Sequence, residues 1–477
     1  MASPAPSISI RANRKDGPVY IQLLTSPSFF TAGDLIKGNL LVTPTSRPIH
    51  ISVGLLGSCT IQDGNAGNVR VDFLHHSQHV FISRTSSQNF ELLPKSTKSP
   101  GKVELPFSLI VPHHATLSPP SDRTWFYSKD SYNHPRFQHS PGFPLPPSCT
   151  GNTHSSPRVI YHLEAYMESH TPGSQLLKIR EEIKYLPPAP QYHPALLQPD
   201  LNFGTRLPKH YSREKFIRSR RLFPNYDEHN GKLGKIKDKL VDKELLFGLQ
   251  SFAEVPYVKF NLFATPASVL VIGKRVPVVI TVQHLKRSES LANPPELFLR
   301  RIKVQLLSAY NTFVPTEILA RRNSQEYLHT ERDTITLCDK KFEKGNGEPL
   351  FDGMNLLDVA DVKLIHDKIV PSFTSYGLNL EHELQIEVYG RCADRDFQGI
   401  ACTQPVQVVT DWQACTVLED VGSWPVYQEL DRTTHSREVD TTTDLQELDE
   451  MAPPYQLHSR HMAPFIADSV PPPEYDG

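Results

Sequence analysis

Residues that commonly carry chemistry are present in this chain, but few stand at spacings that chemistry uses. His75, His76 and His79 are close enough to suggest metal ligands. Only Asp72 lies beside them as a further donor, and the alternation of Val69, Val71 and Phe73 puts the run in or near a strand. No metal is expected there. His113-His114 follows a strand end and reads as a solvated turn. The sequence contains no Gly-x-Ser-x-Gly elbow, no phosphate-cradling Gly-rich loop and no HExxH helix. Gly345-Asn346-Gly347 is a turn signal in a Lys/Glu-rich loop. The six cysteines, at 59, 149, 338, 392, 402 and 415, form no CxxC pair, so neither a zinc pattern nor a disulfide framework is present. Catalytic residues, metals and cofactors are all expected to be absent.

The spacing with a definite meaning lies in the last residues. Pro472, Pro473 and Tyr475 make a Pro-Pro-x-Tyr motif. A Pro-Pro pair is already close to the polyproline II helix, so capturing it costs little ordering entropy. That shape suits the aromatic groove of a WW domain, with the tyrosine setting register in a neighbouring pocket. The sequence around it is acidic and poor in apolar residues, which excludes a strand or a buried turn. A Pro-rich solvated spacer is the plainer reading of the same residues. Ala452-Pro453-Pro454-Tyr455 offers a second copy, Pro453, Pro454 and Tyr455, in which alanine replaces the first proline.

The elements that must carry these residues are strands. A chain of 477 residues suggests two or three domains. Apolar content of 38% with 42 prolines points to a substantial share of loop or disorder. The net charge of -2 argues against a nucleic-acid binder working by bulk charge. No run approaches a spanning helix, and Met1-Ala2-Ser3-Pro4-Ala5-Pro6 has neither signal-peptide design nor a myristoylation glycine. A reduced, cytoplasmic protein with peripheral membrane contact is expected. Residues 18–190 alternate as strands do: Ile49, Ile51, Val53 and Leu55, then Val159, Tyr161, Leu163 and Ala165. Residues 118–156, rich in Pro, His, Ser and aromatics, read as an inserted loop. Strands resume at Val255 and run to Trp412, with Val276, Val278, Ile280 and Val282, then Leu384, Ile386 and Val388. Between the blocks, residues 191–254 crowd Arg218, Arg220 and Arg221, then Lys235 and Lys237, among further lysines. This stretch is either a solvated linker or a surface for anionic lipid. Residues 413–477 are expected to be a disordered acidic tail.

Several segments together resemble the arrestin family, the fungal arrestin-related (α-arrestin) group in particular. They are Phe30-Thr31-Ala32-Gly33-Asp34-Leu35-Ile36-Lys37-Gly38-Asn39-Leu40, Leu105-Pro106-Phe107-Ser108-Leu109-Ile110-Val111-Pro112, and Leu145-Pro146-Pro147-Ser148 followed by Tyr161-His162-Leu163-Glu164-Ala165. The second block adds Val271-Ile272-Gly273-Lys274-Arg275-Val276-Pro277-Val278. The resemblance covers most of residues 18–412 and rests on the order of the segments. It implies an all-β fold of two tandem arrestin-like (immunoglobulin-like) β-sandwich domains, 18–190 and 255–412, with a basic linker and a disordered tail.

It also implies a non-enzymatic adaptor. The tail would engage the WW domains of a HECT-type ubiquitin ligase, and the body would recognise a transporter or receptor at the plasma membrane or endosomes, promoting its ubiquitination and endocytosis. The alternative is a trafficking or signalling scaffold of the same fold that needs no ligase. Asp394, Arg395 and Asp396 are candidates for an arrestin-like polar core, and a charged β-turn explains them as well. Arg287-Ser288-Glu289-Ser290 and Arg321-Arg322-Asn323-Ser324 put basic residues before serines, where phosphorylation would switch local charge.

Overall fold

The computed structural model describes residues 8–45, 49–63, 67–83, 93–96, 99–118, 136–150, 157–169, 176–201, 214–223, 255–313, 328–342, 347–365 and 367–412. The strands of the first block are β1 (Ile8–Ala12), β2 (Val19–Leu23), β3 (Leu35–Val42), β4 (Ile49–Asp63), β5 (Gly67–Ser83), β6 (Val103–Ile110), β7 (Cys149–Thr150), β8 (Arg158–Ser169) and β9 (Leu176–Ile183). They build a sheet in the order β1-β9-β8-β4-β5, with β7 on β8, and a smaller sheet β2-β3-β6. Period-two alternation supplies the buried faces: Val103, Leu105, Phe107 and Leu109 of β6 point inward while Glu104 and Ser108 do not. They share one core with Ile36 and Leu40 of β3 and Val159, Tyr161, Leu163 and Ala165 of β8.

β4 departs from the half-buried alternation that its first residues suggest. From Ile51 to Cys59 every residue is buried. Bulges at Ile51/Ser52 and Gly57/Ser58 shift its pairing with β5. Its outer side lies beside Glu164 of β8, which is fully buried and bonded to Arg180 Nε of β9. On the inner side, Gly57 leaves room for two rings. A Cβ there would stand 2.5 Å from Phe73 and 3.0 Å from Tyr161. Those rings meet edge to face with centroids 5.6 Å apart.

The second block contains β10 (Lys215–Arg218), β11 (Tyr257–Pro266), β12 (Val269–Val271), β13 (Val278–Arg287), β14 (Leu297–Phe313), β15 (Leu328–Lys341), β16 (Glu348–Leu350), β17 (Met354–Asn355), the single helical turn α1 (Leu356–Val359), β18 (Phe373–Thr374), β19 (Leu378–Cys392) and β20 (Arg395–Val409). One sheet runs β10-β11-β13-β17. The other runs β12-β20-β19-β14-β15, with β16 on β14 and β18 on β19. Leu384, Ile386 and Val388 of β19 enter the second core, and Val278, Ile280 and Val282 of β13 face them from the other sheet. β10 falls inside the basic stretch between the two sequence blocks. Its Ile217, with Leu222 of the following 3-10 turn (Arg220–Leu222), is buried in that second core. The fold is all-β, of the sandwich type.

The charged turn is a hairpin between β19 and β20. Ala393 takes a left-handed φ of 51°, Arg391 Nε bonds Asp396 at 2.7 Å, and Ser219 Oγ donates to Asp394 at 2.6 Å. His75, His76 and His79 do not converge. His75 lies near Tyr166, with ring centroids 6.3 Å apart, whereas His79 Nδ1 contacts His50 Nε2 at 2.7 Å. Among the described residues no three His, Cys, Asp or Glu are placed to hold a metal, and no helix is long and apolar enough to cross a membrane.

Gly57→Ala is expected to lower stability by about 1–3 kcal/mol, because its methyl group has no space between Phe73 and Tyr161. Urea unfolding measures this; an unchanged midpoint would show that the two rings move aside freely.

Candidate functional site

The two cores meet at a cleft of about 880 Å³. Proline forms much of its wall: Pro144 and Pro147 from the first block, Pro187, Pro188 and Pro190 after β9, and Pro371 and Pro405 from the second block. Proline fixes φ and has no N–H, so such walls are stiff and present carbonyl acceptors only. The segment after β9 is tied to the end of β20. Thr410 Oγ1 donates to the Pro187 carbonyl at 2.8 Å, Ala189 N–H donates to the Trp412 carbonyl at 2.8 Å, and the Trp412 ring lies 4.7 Å from Phe29.

The polar side of the cleft comes from β18 and β19. Asn379 Nδ2 donates to Thr374 Oγ1 at 3.0 Å. Its Oδ1 accepts from Asn311 Nδ2 at 3.1 Å, and Asn311 Oδ1 in turn accepts from Thr330 Oγ1 at 2.9 Å. This amide ladder crosses four strands and is largely buried, so each member supports the next. Glu381 accepts from Asn311 at 3.3 Å and pairs with Arg136 at 3.5 Å across the two blocks. Glu383 is the next outward-facing residue along β19 and also lines the cleft.

Ser308 Oγ lies 2.9 Å from His382 Nδ1, a distance that elsewhere activates a nucleophile. Here both residues are buried. His382 Nε2 is spent on the Val370 carbonyl at 2.9 Å, which makes Nδ1 the acceptor of the Ser308 hydroxyl. The pair therefore ties the 370–374 wall to β19 and β14. Burial pushes the His382 pKa down to about 4, against the opposing effect of the Val370 bond. Buried thiols are equally unreactive: burial raises Cys59, Cys149, Cys392 and Cys402 to about 12. A stiff cleft that mixes proline walls with fixed polar groups suits recognition.

The residues singled out from sequence lie elsewhere. Arg218 is on β10, and Arg220 and Arg221 are in the turn that follows. Lys235 and Lys237, and the two tail motifs with Pro453, Pro454, Tyr455, Pro472, Pro473 and Tyr475, lie outside the described residues. Of the cleft residues, Leu145 and Pro147 were quoted from sequence, and only for the family resemblance. Their one local signal was the density of proline at 144–147 and 187–190. The chain matches no protein-family model and no curated protein.

Unfolded His382 titrates near 6.5 and folded His382 near 4. Its contribution to stability is complete above pH 6.5 and is lost as pH falls toward 4, by roughly 3 kcal/mol in all. His382→Gln is expected to remove that component from the pH dependence of urea unfolding. An identical slope in wild type and variant would show that His382 is not held neutral.

Proposed function

We propose that this chain is an adaptor of the α-arrestin kind, which joins a WW-domain HECT-type ubiquitin ligase to a membrane transporter or receptor. The observation that carries the reading is the Pro472-Pro473-Glu474-Tyr475 motif in an acidic sequence that follows an all-β body. The body, read as two arrestin-like sandwiches in tandem, supplies cargo choice, and the tail supplies the enzyme. Holding both together turns a bimolecular encounter into a local one, so that cargo lysines are ubiquitinated and the cargo is internalised. A recognition cleft walled by proline fits the adaptor reading. Recruitment to the plasma membrane or endosomes would then be peripheral.

Binding of the full chain to a panel of WW domains tests the reading. Tyr475→Ala is expected to weaken binding at least about tenfold. Tyr455→Ala should matter chiefly toward ligases with several WW domains, where two linked sites gain on the order of 10²-fold or more over one. If the double variant binds as wild type does, or wild type does not bind, the tail is a spacer and the ligase-independent scaffold takes precedence. The same variants should leave cargo ubiquitination deficient while thermal unfolding is unchanged.

A further inference from the structure

The outer face of the sheet β10-β11-β13 carries a row of side chains that sequence spacing does not reveal. Phe216 of β10 stands opposite Lys259 of β11, which stands opposite Lys286 of β13. Ile217 faces the core, so Phe216 faces outward and is 52% exposed. Its ring lies 5.6 Å from that of Tyr257, and the Lys259 ammonium sits 5.6 Å from the Phe216 centroid. A bulge at Lys259/Phe260 leaves Leu285 outside the pairing register. Leu285 is 43% exposed and is followed by Lys286 and Arg287, both exposed. The chain leaving β10 turns through Arg220 and Arg221. Against these cations stand Glu214, paired with Lys259 at 2.8 Å, and the exposed Glu289.

Phe216 and Leu285 place apolar surface beside lysines on one sheet face. A nucleic-acid surface would need a larger excess of positive charge than this chain carries. An anionic bilayer offers both halves of the match at once: headgroup charge for the cations and an acyl boundary for the rings. We propose that this sheet face docks on an anionic membrane, with Phe216 and Leu285 entering the interface and Lys286 and Lys259 lying at headgroup level. The proposal does not depend on the ligase reading, since it uses no residue of the tail.

The test is co-sedimentation of the full chain with phosphatidylcholine vesicles, with and without phosphatidylserine. Binding is expected only to the anionic vesicles and should fall with salt. Phe216→Ser is expected to weaken it about tenfold, and Lys286→Ala about fivefold, with thermal unfolding unchanged because both side chains are exposed. In Phe216→Trp, anionic vesicles should shift the added fluorescence to the blue relative to wild type. Equal binding to neutral vesicles, or wild-type affinity in both folded variants, would overturn the proposal. So would an added tryptophan that stays in water while the chain is bound. Tyr475→Ala should bind vesicles as wild type does, which keeps failure here separate from failure of the WW-domain test.

Discussion

The arrangement of the described residues depends on one insertion: Tyr376, from the second block, is buried in the core of the first. Its ring meets Phe143 edge to face at 4.9 Å, and its hydroxyl donates to the Leu117 carbonyl at 2.9 Å. The Cys59 thiol donates to its backbone carbonyl at 3.3 Å. Leu378, Leu380 and Tyr310 accompany it into the same core. A buried hydroxyl without an acceptor would cost about 1–3 kcal/mol, so the Leu117 bond is a condition of the insertion. Phe137 stacks on Phe313 at 5.7 Å beside it. The two cores are thereby parts of one compact unit.

The cleft is a consequence of that insertion. The chain that carries Tyr376 also carries Pro371, Ser372, Phe373 and Thr374, which form one wall. His382 holds this wall from behind through Val370, and Ser372 bonds Val408 in both directions, at 2.9 and 3.0 Å. The opposite wall hangs on Thr410 and Trp412, where β20 ends. Loosening the insertion would thus change the cleft, and a ligand in the cleft would act on the junction between the cores.

Two surfaces with different chemistry follow from one body. The cleft is stiff and proline-walled. The outer face of β10-β11-β13 is basic and partly apolar. The proposed tail motif rests on contiguous residues alone. Under the proposed adaptor reading, two distinct surfaces would let one partner bind without displacing another.

Much of the strand content was legible in the sequence, because period-two alternation belongs to contiguous residues. Leu384, Ile386 and Val388 are buried as their spacing predicts, and so are Val159, Tyr161 and Leu163. The Pro-Pro-x-Tyr motif is a local pattern too, and it lies outside the described residues. β10 was not legible. Two apolar residues in a basic run carry no period, and the strand exists because β11, far along the chain, offers it an edge. Burial of both sides of β4, the meeting of Phe216 with Lys259 and Lys286, and the cleft were decided by tertiary structure alone. Each depends on which distant strands become neighbours, and that choice is made by the cores as wholes.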